Sequence, residues 1–183
     1  EKMRNNILLG GGGSQITGLG RAFEEALEEY GGGKVTTVEE RVTILPMLQA
    51  LQQRPGGYPA SLARLDADAI RRLRAVYFEQ IDTLVGDAAG KVIVDKMPIR
   101  TVQVGMLWRI FPDARFIFSL RHPCDVVLSN FMQHYTVSDA FANFYTLEDA
   151  ATIYDKVMSL WQLYVDRLPL VSHSVRYERL IEE

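Results

Sequence analysis

The sequence predicts an α/β fold, a parallel β-sheet flanked by helices. Three observations predict it. Short apolar runs alternate with longer amphipathic segments almost from end to end. The run from Ala114 to Leu120 is nearly continuous in apolar character, as in a strand buried on both faces. The turns after the apolar runs carry glycine, lysine and arginine, residue types suited to the strand ends where such sheets bind ligands.

Ile7-Leu8-Leu9 is the first candidate strand, and Gly10 to Gly13 with Ser14 forms a turn behind it. Arg21 to Tyr30 then places Phe23, Ala26 and Leu27 at helical spacing, and Gly31-Gly32-Gly33 ends that helix. Lys34 to Val38 is rich in β-formers and reads as a second strand. Val42 to Gln53 carries a helical stripe of Ile44, Leu45, Leu48 and Leu51, and the Pro55–Pro59 segment is a loop. Asp66 to Val85 is a long amphipathic helix with Ile70, Leu73, Val76, Tyr77, Ile81 and Leu84 inward. Lys91 to Val94 is a strand, Val102 to Phe111 a helix stopped by Pro112, and Ala114 to Leu120 the strand named above. A helix from Asp125 to Gln133 follows Pro123, with Asp125 suited to cap it. Leu147 to Leu168 is a long helix with Ala151, Tyr154, Val157, Met158, Trp161 and Val165 along one stripe, and Val171 to Tyr177 is the last strand.

The 183 residues suit one domain, residues 1–183, with a core of its own. A net charge of −3 leaves no footprint for bulk binding to nucleic acid or to a membrane surface, and no stretch has the apolar length of a membrane span. Cys124 is the lone cysteine, so neither an intrachain disulfide nor a zinc knuckle can form. That fits the cytoplasm, with a secretory lumen as the alternative. His122, His134 and His173 are scattered, no metal cluster can be written, and His134 either takes up a proton at a ligand site or is a solvated or structural side chain.

Three turns at strand ends carry the chemistry. The first, Gly10 to Thr17, can aim backbone N–H groups and the hydroxyls of Ser14 and Thr17 at an anion; the alternative is a flexible linker. It lacks the Gly-Lys-Ser/Thr of an ATP-type P-loop. The second, Asp95-Lys96-Met97-Pro98, offers Lys96 as a point charge for sulfate or phosphate oxygens, or as an ordinary solvated lysine. The third, Arg121-His122-Pro123-Cys124-Asp125 with Ser129 beyond, can bring an arginine fork and a hydroxyl to one phosphate; the alternative pairs Arg121 with Asp125. Phe131, Tyr135, Phe141, Phe144 and Tyr145 cluster after it, either lining a ligand pocket or packing a core, whereas Trp108, Trp161 and Tyr154 lie on helix stripes as core residues.

The strings DKMP, FPDARFIFSLRHPCDVVLSN, LEDAATIYDKVMSLW and VRYERL, covering about half the chain, resemble the sulfotransferase superfamily, in its tyrosylprotein and tetratricopeptide-linked branch. The resemblance implies a P-loop-like nucleotide-binding core and an enzyme that moves a sulfuryl group from 3′-phosphoadenosine 5′-phosphosulfate to a hydroxyl or amine acceptor. It implies that Arg121 and Ser129 hold the 3′-phosphate and that Lys96 stabilises charge on the bridging oxygen. Gly12, Gly13, Ser14, Gln15, Ile16 and Thr17 would line the 5′-phosphosulfate site. Glu40, or its neighbour Glu39, would be the general base, and Arg176 or Glu178 would stand near the nucleotide. The first turn departs from the family pattern: Gly13 stands where the family has arginine, Gln15 where it has glycine, and Ile16 where it has the first threonine. A charge-assisted hydrogen bond is worth about 1.5–3 kcal/mol, so a catalytically impaired nucleotide-binding module is the alternative, with a P-loop kinase or NTPase, or a purely structural domain, behind it. The resemblance also implies a basic segment beyond Tyr177-Glu178, so the domain is expected to be truncated at one or both ends.

Overall fold

The computed structural model describes residues 6–11, 25, 35–38, 43–86, 90–97, 99–133 and 141–180. Among the described residues five parallel strands form one sheet: β1 (Asn6–Gly11), β2 (Val35–Val38), β3 (Val92–Lys96), β4 (Arg115–Leu120) and β5 (Val171–Arg176), in the spatial order β2-β3-β1-β4-β5. The helices flanking it are α1 (Leu45–Gln52), α2 (Ala67–Val85), α3 (Val104–Ile110), α4 (Pro123–Met132), α5 (Leu147–Arg167) and the short α6 (Tyr177–Leu180). From central β1 the chain fills one side with β2 and β3, then crosses to the other for β4 and β5. The order therefore reverses at β1, and open parallel sheets bind ligands outside the carboxyl ends at such a reversal.

Burial explains which segments became which elements. Phe116 and Phe118 of β4 are buried from one face, and Trp161 of α5 stacks on Phe118 with ring centroids 4.2 Å apart and planes 7° apart. Met47 and Leu51 of α1, Leu73, Tyr77 and Ile81 of α2, and Met106, Leu107 and Ile110 of α3 complete the core with Ile93 of β3. At Gly105, α3 approaches α5 so closely that a Cβ would lie 2.8 Å from the Tyr164 ring. Caps set two helix starts: the Asp66 carboxylate accepts from the N–H of Ala69 (2.7 Å), and the Thr146 hydroxyl accepts from that of Asp149 (3.0 Å). Because Trp161 and Phe118 form the centre of the β4–α5 contact, Trp161→Ala is expected to cost about 3–5 kcal/mol. In a thermal melt that is a fall of roughly 6–20 °C, and a fall under 3 °C would show the stack to be dispensable.

Several boundaries differ from the sequence reading. β1 runs on through Gly10 and Gly11, which pair with Phe118 and Ser119, so the first two glycines belong to the strand. β3 likewise runs to Lys96, level with Leu9 of β1, and the turn begins at Met97. The helix expected from Val102 to Phe111 is a 3₁₀ turn, Arg100–Gln103, followed by α3. Pro123 stands within the first turn of α4, whose N-cap is His122. Asp125 is thus inside the helix and does not cap it; there its charge favours the positive end of the helix dipole. Tyr177 opens α6 and does not end β5. Leu45, Leu84 and Val165, read as inward, are exposed, and Ala69 and Ala150 take the buried positions because small side chains allow closer contact. The predicted helix 21–30, apart from a helical Glu25, and the glycines behind it lie outside the described residues.

Candidate functional site

The register of the sheet brings the strand ends to one edge. Val38 is level with Asp95, Leu9 with Lys96, Gly11 with Ser119, and Leu120 with Arg176. Lys96 is therefore level with Ile117 across β1, three residues short of Leu120. With strands about 4.8 Å apart and a rise of about 3.3 Å per residue, Lys96 and Leu120 are roughly 14 Å apart at the backbone.

Lys96 is 7% exposed. It is the last residue of β3 and not the solvated lysine that was its alternative reading. Arg121 leaves β4 half-buried. Its guanidinium lies 3.6 Å from the Asp125 carboxylate and 5.4 Å from the centre of the Tyr177 ring. Its Nε is buried and has no hydrogen-bond partner among the described residues. Ser129, half-buried, stands one turn beyond Asp125 on the same side of α4. The Glu178 carboxylate accepts the N–H of His122 at 2.7 Å and so ties α6 to the start of α4 beside Arg121. Backbone N–H donors, its own first and that of His122 second, hold the Glu178 carboxyl below the usual range.

Beneath this edge lies a buried polar network that the sequence reading did not single out. Asp95, with no exposure, forms an ion pair with Arg100, 3% exposed, at 2.8 Å. The hydroxyls of Thr43 and Tyr77 each donate to the other carboxylate oxygen at 3.1 Å, and Arg100 also donates to Thr43 at 3.0 Å. Burial raises the Asp95 carboxyl pKa, while the Arg100 charge and the three donors oppose that rise. Burial and then the Asp95 charge push the Tyr77 hydroxyl well above its ordinary value, which keeps it a donor. The turn that returns Arg100 to Asp95 passes through Ile99 at φ 63°, a conformation rare for a β-branched residue. The available signal was an aspartate inside an otherwise apolar, doubly covered strand, followed five residues later by an arginine.

Of the other predicted site residues, Gly12, Gly13, Ser14, Gln15, Ile16 and Thr17 lie outside the described residues, as do Glu39, Glu40, His134 and Tyr135. Phe131 is 42% and Tyr145 56% exposed, which removes the core-packing alternative for these two aromatics; Phe144 is half-buried. No group of three or more metal-ligating side chains occurs among the described residues, and no helix among them is long and apolar enough to cross a membrane.

A family model described as "Sulfotransferase family" matches residues 34–183. The chain belongs to the sulfotransferase family. The matched stretch contains Glu39, Glu40, Lys96, Arg121 and Ser129 and begins after the glycine-rich segment. Two solved structures share the fold. The sulfotransferase domain from the curacin biosynthetic pathway superposes with a TM-score of 0.51 at 17% identity, over 100% of this chain and 70% of that one. A sulfotransferase from Alicyclobacillus acidocaldarius gives 0.51 at 14% identity, over 100% and 76%. An uncharacterized protein of Aquifex aeolicus (strain VF5) is 24% identical over 156 residues, which cover 84% of this chain and 20% of that protein. The sulfotransferase chain thus spans about a fifth of that relative's length.

Proposed function

We propose that this sulfotransferase-family chain transfers a sulfuryl group from 3′-phosphoadenosine 5′-phosphosulfate to a hydroxyl or amine acceptor. One observation carries the reading most: Arg121, at the switch-point edge of the sheet, holds a buried Nε–H with no partner among the described residues. A buried guanidinium donor without an acceptor is costly, and an anionic ligand removes that cost. The Arg121–Asp125 pair does not compete, because a long, exposed pair of this kind is worth only about 0–1 kcal/mol. A bidentate arginine–phosphate contact is much stronger.

In this reading Arg121 and Ser129 bind the 3′-phosphate and set the register of the nucleotide. Ser14, Thr17 and the backbone amides of residues 12–17 receive the 5′-phosphosulfate. The general base, Glu40 or Glu39, takes the acceptor proton as the acceptor oxygen or nitrogen bonds to sulfur. The bond from sulfur to the bridging oxygen breaks, and Lys96 stabilises the charge left on the phosphate. No covalent enzyme intermediate is needed, so rate comes from position and from charge stabilisation. The exposed aromatics Phe131 and Tyr145 are offered to the acceptor. The motifs from Asp95 to Leu180 support the tyrosylprotein and tetratricopeptide-linked branch, and the single, exposed Cys124 supports the cytoplasm over a secretory lumen.

Calorimetric titration with adenosine 3′,5′-bisphosphate tests the site. Arg121→Ala is expected to weaken binding at least tenfold, and unchanged affinity in the folded variant would remove the β4 turn from the site. A second reading, a nucleotide-binding module without catalysis, is favoured by Gly13 in the place of the family's arginine. Bisphosphate binding without sulfate transfer to any acceptor tested would select it.

A further inference from the structure

We infer that Thr43, Arg100 and Asp95 form a positioning clamp that ties the chain at Thr43, three residues beyond the proposed general base, to β3, an inference that rests on the sulfotransfer reading. The network spans three parts of the chain. Asp95 immediately precedes Lys96, Arg100 follows it by four residues, and Thr43 stands three residues beyond Glu40. Tyr77 completes the network from α2.

Successive strand residues face opposite sides of a sheet, so Asp95 and Lys96 project in opposite directions. Asp95 therefore projects from the face of the sheet opposite to Lys96 and is fully buried, and its role is to fix what surrounds it. It fixes two things. Its ion pair with Arg100 closes the turn through the left-handed Ile99 and so sets how the chain leaves Lys96. Its bond from Thr43, with the Arg100–Thr43 bond, pins the chain that comes from β2. Three residues span at most about 10 Å, so the pin lies close to Glu40 along the chain. β2 itself ends at Val38, level with Asp95, so the chain is held at Val38 by the ladder and again at Thr43 by its bond to Asp95, and these two residues bracket Glu39 and Glu40 in sequence.

Transfer in line needs the base and the cation at fixed separation, and a misplacement of about 1 Å can cost on the order of a hundredfold in rate. Thr43 touches no reacting atom, so its loss should lower turnover and leave nucleotide affinity alone. The test compares Thr43→Val, which keeps shape and removes the hydroxyl, with Thr43→Ser, which keeps the hydroxyl. Sulfate transfer and adenosine 3′,5′-bisphosphate binding are measured on the same full-length preparations. The expected result is a fall in kcat of at least tenfold in Thr43→Val, bisphosphate affinity and donor KM within twofold of wild type, and recovery to within threefold in Thr43→Ser. Equal kcat in Thr43→Val and wild type overturns the clamp while the sulfotransfer reading stands. A parallel loss of kcat and bisphosphate affinity in both variants also overturns it, since the network would then serve folding alone. A wild-type protein that neither binds the bisphosphate nor transfers sulfate overturns both together, and is told apart because it shows before any substitution is made.

Discussion

Asp95→Ala will destabilise the protein more than any single change at the substrate edge. The substitution strands the Arg100 guanidinium, 3% exposed, without the carboxylate 2.8 Å away, and removing one partner of a buried ion pair costs about 3–5 kcal/mol. The hydroxyls of Tyr77 and Thr43 lose the same acceptor, and each buried donor left unmade adds about 1–3 kcal/mol. Domains are stable by only about 5–15 kcal/mol in total, so Asp95→Ala should melt well below the wild type or fail to fold. The double variant Asp95→Leu with Arg100→Met removes charge and counter-charge together and should recover part of that loss. A single variant melting within 3 °C of wild type, or a double variant no better than the single, would show that the pair carries little of the fold's stability.

Glu40→Gln will abolish transfer by a factor of about 10²–10⁴ and leave the affinity for adenosine 3′,5′-bisphosphate within twofold. Glutamine keeps the size of the side chain and loses the ability to take the acceptor proton. Arg121 and Ser129, to which the nucleotide contacts are assigned, follow β4, three strands across the sheet from β2, the strand that precedes Glu40 in sequence, which is why binding and chemistry should separate. The matched pair is Glu39→Gln. If that variant is the one dead to transfer and intact in binding, the base is Glu39 and the assignment moves by one residue. If both variants transfer normally, neither glutamate is the base and the mechanism proposed above fails at its first step.

The fold was readable because its signals are local. Alternating apolar runs and helical stripes need no knowledge of the rest of the chain, and the five strands and the long helices α2 and α5 lie within one or two residues of where the pattern put them. The errors came where a tertiary neighbour decided. Gly10 and Gly11 look like turn residues, yet β4 beside them extends the strand. Leu84 and Val165 have the right spacing for the core, but no element among the described residues covers them. Arg121, Ser129 and Lys96 were legible as candidates because each follows or ends an apolar run, and the edge of a parallel sheet collects strand ends. The Nε of Arg121, without a partner among the described residues, and the burial of Lys96 were not legible, since both depend on what packs around the side chains.

The sequence by itself determined the order of strands and helices, the parallel sheet and the family to which the chain belongs. Those follow from periodicity and from short contiguous motifs. Only the tertiary structure decided which strands are neighbours, and with them the meeting of Asp95 with Thr43, 52 residues away, and of Arg100 with Thr43, 57 residues away. A buried charge is satisfied by whatever donors the fold delivers to it, and no local pattern encodes a partner that distant in the chain.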